Sequence, residues 1–203
     1  MLDFLQQPAG FDIGETGWLI YDAGQPLWRA FAVGLFNTLR AALPALLWAT
    51  ALGTLLAMAR LSPASTWRRL SKLFIEAHRN TPLLLQLLIW YFLLVELLPD
   101  PGEAWRLWGG AWLSKGGLAI PWWGLTDTGH WAWSWPEQGA FNVSGGASLT
   151  PEFLALWLAL SHYTAAFLAE VIRGGLGSVP ESLLDAARSE EHTSELQSRL
   201  HLV

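Results

Sequence analysis

The sharpest change in the hydrophobic pattern falls at Glu76 to Leu87 (EAHRNTPLLLQL), where a basic, half-polar run gives way at Pro82 to an almost unbroken apolar stretch. Upstream stand Arg60, Arg68, Arg69, Lys72 and Arg79, whereas Pro82 to Leu98 carries only Gln86 and Glu96 as strongly polar side chains. A spanning helix needs about 20 mostly apolar residues, and Asn80 to Leu98 nearly supplies them. Pro82 suits a helix start, where its missing N–H costs nothing. Two more apolar stretches behave alike. One runs from about Trp28 to Arg60, with Ala41 to Met58 apolar apart from Thr50 and Thr54; the other runs from Glu152 to about Arg173. The pattern therefore predicts an all-α membrane protein with three transmembrane helices. The second begins near Trp67 and is amphipathic up to Arg79 and apolar beyond Pro82.

The segments between these helices differ in character. Residues 1–27 are rich in Gly and Pro, bear Asp3, Asp12, Glu15 and Asp22, and form an external N-terminal segment in this reading. Pro99 to Thr150 holds Trp105, Trp108, Trp112, Trp122, Trp123, Trp131, Trp133 and Trp135. Tryptophan favours the headgroup region, where an apolar ring and a polar N–H are both satisfied, so this stretch reads as a Trp-rich loop on the outer interface. It has room for a short re-entrant helix around Gly109 to Leu118. In the first helix, Ala41, Ala42, Ala45, Ala49, Ala51, Gly53 and Ala57 would let another helix approach closely. Arg40 would snorkel toward the outer interface.

Composition strengthens the membrane reading. Hydrophobic residues make up 52% of 203 and charged ones 14%, with fourteen Trp, far from the usage of soluble domains. The net charge of -5 matters less than its distribution. Arg60 to Arg79 holds five positive charges against one negative, and Glu96 to Glu152 holds six negative against two positive. The positive-inside rule then places the arginine-rich side in the cytoplasm. With no cysteine, disulfides, thiolate nucleophiles and Cys-based metal sites are excluded. No basic n-region followed by an apolar core marks a cleavable signal after Met1. No GxxxxGK[ST] phosphate loop is present, so the chain is not expected to hydrolyse ATP itself.

Polar residues at membrane depth are the candidate functional groups. Gln86 lies inside the second apolar stretch, and Ser161, His162, Tyr163 and Thr164 occupy the middle of the third. Gln86, His162, Tyr163 and Thr164 are therefore candidates to line a path, with helix–helix hydrogen bonding as the alternative. Glu76 and Arg79, and likewise Glu170 and Arg173, stand three apart, a spacing that allows an ion pair on one helical face. Glu170 with His162 also raises the alternative of a membrane-embedded acid–base enzyme, although no third orienting group is evident. After Gly174 and Gly175, SVPESLLDAAR begins a further amphipathic helix on the cytoplasmic side, with Ser178 as its cap and Pro180 in its first turn.

Taken together, HRNTPLLLQL (78–87), ALSHYTAAFLAEVIRGGLGSVP (159–180) and DAA (185–187) resemble polar amino-acid ABC importer permeases. PAGFDIGET and GLFNTLRAAL are similar to the general L-amino-acid subgroup. The resemblance covers Pro8 to Ala187 in order. It implies a partial ABC permease transmembrane domain at residues 28–187 in a bacterial inner membrane, crossing it several times. It implies that Asp185, Ala186 and Ala187 begin the motif coupling to the ATPase, with Asp in place of the usual Glu. The implied partners are that ATPase subunit, which binds the ATP, a second permease subunit, a periplasmic amino-acid-binding protein and the lipid bilayer. No nucleic acid, cofactor or metal is expected. The chain departs from the family in lacking a helix before PAGFDIG and the helices after the coupling loop. Residues 188–203 read as an artefactual tail: RSEEHTSELQS resembles the translation of a sequencing-library adapter, and Glu191 stands where the family has Gly. A non-functional membrane fragment is the alternative.

Overall fold

The computed structural model describes residues 3–16, 19, 21–125, 130–178, 180, 182 and 186. The first helix, α1, runs Leu27–Leu61. It is built largely from Leu and Ala, the strongest helix formers among apolar residues, and it stops before Ser62-Pro63, where a following proline disfavours helical backbone. The second apolar region is not one helix. α2 spans Ser65–Asn80 and α3 spans Leu83–Leu97, and the chain bends by 110° at the Thr81-Pro82 break. The expectation of a single second helix is corrected here. Pro82 supplies no donor for α2's last turn and pushes Thr81 into extended backbone (φ -102°, ψ 125°). α4 covers Pro151–Gly177, with Thr150 accepting from Phe153 N and Pro151 opening the first turn.

α1 and α4 are long and apolar enough to cross a membrane, and the bent α2–α3 pair passes the same test only when taken as one broken span. The two long helices run parallel. Arg40 lies over Phe153 and Trp48 against Trp157 at one end; Gly53 faces Ala165, and Ala57 shares a buried cluster with Ala169, toward the other. The contact is a seam of small residues at four-residue spacing: Ala41, Ala45, Ala49, Gly53 and Ala57 are all buried, against Ala155, Ala159, Ala165, Ala166 and Ala169 on α4. A Cβ on Gly53 would come 3.0 Å from the Ala165 carbonyl oxygen. Close backbone approach of this kind is how helices associate where no hydrophobic effect drives them together. Ala42 and Ala51, off the stripe, are exposed. α2 crosses the far end of the pair, with Ile75 between Ala57 and Ala169.

The Trp-rich stretch between α3 and α4 is β-structured, which corrects the all-α expectation. β1 (Trp105–Arg106), β2 (Trp112–Ser114) and β3 (Gly117–Ile120) join β8 (Ala147–Leu149) in an antiparallel sheet of order β1-β2-β3-β8. β4 (Trp122–Leu125) pairs with β5 (Trp131–Ser134), and β6 (Glu137–Gln138) with β7 (Val143–Ser144). Where a re-entrant helix had room, β2 and β3 form a hairpin through Lys115-Gly116, and Gly117 follows with φ 108°. A left-handed glycine after a short turn is the signature of a bulged hairpin, not of a helix. A side chain at Gly117 would also collide with the Leu149 carbonyl, so this glycine lets β8 lie against β3 just before α4 begins. Trp131, Trp133 and Trp135 alternate along the chain, share one face and are exposed; Trp133 meets Trp123 edge-on at 5.7 Å.

Candidate functional site

Polar side chains gather at three levels along the α1–α4 pair. At one end Glu15 of the N-terminal segment joins both helices. Its carboxylate receives Arg40 Nη1 at 3.0 Å and the Thr150 amide at 2.8 Å, and its carbonyl accepts from Asn37 Nδ2. The guanidinium of Arg40 also lies 4.5 Å from the Phe153 ring centre. Arg40 is thus held by an ion pair and an aromatic face, where the sequence suggested only snorkelling. The Thr150 amide opens α4, so the Glu15 charge also faces the positive end of the helix dipole.

At the opposite end Glu170 accepts from Arg173 through Nε and Nη2 at 3.0 and 2.8 Å, while Arg60 of α1 approaches its other oxygen at 3.8 Å. Glu76 does not meet Arg79. Its carboxylate lies 3.5 Å from Lys72 one turn back, and Arg79 instead lies 5.4 Å from the Phe167 ring centre. The three-residue spacing allowed Glu76–Arg79, but the four-residue alternative on the same helix prevailed.

Between these levels His162 enters the elbow of α2 and α3. Its ring lies 5.6 Å from His78, 5.7 Å edge-on to Phe74 and 5.2 Å from Trp90. His78 stacks on Phe74 at 4.0 Å, with its Nδ1 2.9 Å from the Phe74 carbonyl oxygen. His162 Nδ1 is buried with no hydrogen-bond partner among the described residues. Gln86 is buried beside the bend and donates to the carbonyls of His78 at 2.7 Å and Thr81 at 2.8 Å. Those carbonyls end α2 and have no helical donor of their own. Gln86 therefore caps α2 from within α3 and fixes the elbow, while its own Oε1 is left without a partner among the described residues.

The four candidate path residues do not converge. Gln86 and His162 both lie at the elbow, Tyr163 packs against Phe167 at 4.8 Å, and Thr164 is exposed on α4's outer face. His162 faces aromatic rings while Glu170 is engaged by two arginines, so the acid–base pairing has no geometric support. Phe74, His78 and Trp90 were missed in the sequence. The four-residue spacing of Phe74 and His78 was the available signal; nothing local tied either to α4. Of the coupling residues, Ala186 is helical and exposed, whereas Asp185 and Ala187 lie outside the described residues, as do residues 188–203.

No family model matches the chain, and no solved structure matches it. Curated relatives do. The chain is 34% identical to the amino-acid ABC transporter permease protein YhdX of Escherichia coli K12, over 92% of this chain and 61% of that one. It is 30% identical to the general L-amino acid transport system permease protein AapQ of Rhizobium johnstonii, over 91% and 60%. The glutamate transport system permease protein GluC of Corynebacterium glutamicum is 30% identical over 83% and 56%. The chain spans about 60% of the length of the first two. Similarity across nine-tenths of this chain, with apolar helices of spanning length beside it, makes amino-acid ABC transporter permeases the proteins that this chain resembles.

Proposed function

We propose that this chain is the transmembrane permease subunit of an ATP-driven importer of polar L-amino acids in a bacterial inner membrane. The observation that carries the reading is the similarity to amino-acid permeases over nearly the whole chain. In this reading α1 and α4 cross in the same direction, and the α2–α3 pair supplies the third crossing and returns the chain outward. The arginine-rich α2 faces the cytoplasm and the Trp-bearing sheet faces the periplasm.

ATP is bound and hydrolysed by a separate subunit docked at Asp185 to Ala187. A second permease subunit completes the pathway, and a periplasmic binding protein delivers the amino acid. Transport proceeds by alternating access, with the permease halves rocking about a central path. The elbow is the element of this chain suited to that movement. One glutamine holds its bend, and His162 rests in it among rings that can slide without breaking hydrogen bonds. Gln86 and His162 are the path residues this geometry favours over Tyr163 and Thr164.

The test is uptake of a panel of radiolabelled L-amino acids into proteoliposomes holding the permease with its ATPase and binding protein. ATP-dependent accumulation of polar L-amino acids is expected. Accumulation of none of them, with ATP hydrolysis still stimulated by the binding protein, would overturn the substrate class.

A further inference from the structure

The helix α2 carries three distinct stripes. Ser71 and Ile75 are buried against the α1–α4 pair. Trp67, Leu70 and Leu73 are 63%, 54% and 66% exposed, and Arg68, Arg69 and Lys72 are exposed as well. With 3.6 residues per turn the exposed apolar stripe and the basic stripe lie roughly 150° apart around the helix, on opposite flanks of the docked face. Water would not favour three large apolar side chains turned outward in a row at this spacing, and a wholly apolar surrounding would not favour the cations.

The position of α2 resolves this conflict. Ile75 packs on Ala57 and Ala169, one turn or less from Arg60 and Glu170 at the inner ends of the long helices. The 110° bend relative to α3 means that when α3 stands upright, α2 lies within about 20° of the membrane plane, the attitude of an interfacial helix. We infer that α2 is an interfacial anchor. Its Trp67, Leu70 and Leu73 enter the acyl-chain boundary, and its Arg68, Arg69 and Lys72 bind anionic phospholipid headgroups. Charge complementarity selects that occupant: Glu76 is the only acid on the helix, and it already faces Lys72. The inference rests on α1 and α4 crossing a bilayer, not on what the permease carries.

Because the chain has no cysteine, nitroxide labels at Leu73→Cys and Lys72→Cys can be read singly in vesicles of phosphatidylcholine and phosphatidylglycerol. The Leu73 label should be relaxed by dissolved oxygen and shielded from a water-soluble nickel chelate, and the Lys72 label the reverse. Arg68→Gln and Arg69→Gln should each lower retention of phosphatidylglycerol over phosphatidylcholine about fivefold. Reading each variant separately keeps the result independent of any loss of fold in a multiple variant. Nickel access at Leu73 equal to that at Lys72 would place the helix in water. Shielding of Leu73 from both reagents would mean that protein covers it. Unchanged lipid preference in the Gln variants would remove the headgroup site. Any of the three overturns the inference.

Discussion

Arg60 of α1 and Glu170 of α4 face each other at 3.8 Å, about 20 residues along their helices from Arg40 and Thr150, which Glu15 joins at the other end. At 1.5 Å per residue that interval is roughly 30 Å, the thickness of a bilayer's hydrocarbon core. Two parallel helices are thus tied by charge where each would leave the hydrocarbon, with the small-residue seam and the Trp48–Trp157 contact between. Both side chains of the Arg60–Glu170 pair are about one-fifth exposed (21% and 20%), so the pair is neither fully screened nor fully buried. Glu170→Gln and Arg60→Gln should each lower stability in detergent, by about 1–2 kcal/mol. A double-mutant cycle should return a coupling of roughly 0.5–3 kcal/mol. Strict additivity would mean that the two residues do not interact.

The seam makes Gly53 hard to replace. A Cβ there meets the Ala165 carbonyl at 3.0 Å and Leu168 Cβ at 3.1 Å, so Gly53→Val should force the helices apart and cost about 1–3 kcal/mol. Thermal unfolding of Gly53→Val in detergent, compared with the unsubstituted chain, reads that cost. Gly34, whose Cβ would meet nothing within 4 Å, is the control: Gly34→Ala should be neutral or stabilising, because alanine is the better helix former.

Gln86 holds the elbow through two donated hydrogen bonds to carbonyls at the end of α2. Gln86→Leu keeps the bulk and removes both donors, leaving those carbonyls uncapped at a cost of about 1–3 kcal/mol. The distance distribution between spin labels on Arg69 and Glu96 should broaden in this variant. An unchanged narrow distribution would assign the bend to Pro82 alone.

The helices were readable because each property that makes them is local. Apolar length marks α1 and α4, Pro82 marks a helix start, and the alanine spacing marks the seam. The depth of the bend at Pro82 was not readable, since it depends on Gln86 reaching back to His78, a contact chosen only once the chain has turned. The sheet was hidden for a different reason. Strands of two to four residues are too short to show alternation, and tryptophan suits both an interface and a strand. Glu15 was visible only as an acid in a Gly-rich segment; its bond to the Thr150 amide joins residues 135 positions apart, and no spacing rule reaches that far.

His162 separates packing from function. Its ring contacts Phe74, His78 and Trp90, so His162→Phe preserves the aromatic contacts and deletes the unpartnered nitrogen. Uptake per assembled complex should fall at least tenfold in His162→Phe while the amount of complex stays level. Equal specific uptake would make His162 a packing residue. His162→Ala, which empties the elbow, should lower complex yield in either case, by about 2–5 kcal/mol of lost packing.

All of this depends on α1 and α4 crossing the membrane in one direction, with the sheet outside and α2 inside. Single cysteines at Phe141, which is 90% exposed beside the sheet, and at Arg69 on α2 can be treated with a membrane-impermeant thiol reagent in intact cells from which the outer membrane has been stripped. Labelling at Phe141→Cys, with Arg69→Cys reacting only after the inner membrane is opened, is the predicted result. Labelling at Arg69→Cys but not at Phe141→Cys in sealed cells would contradict the account.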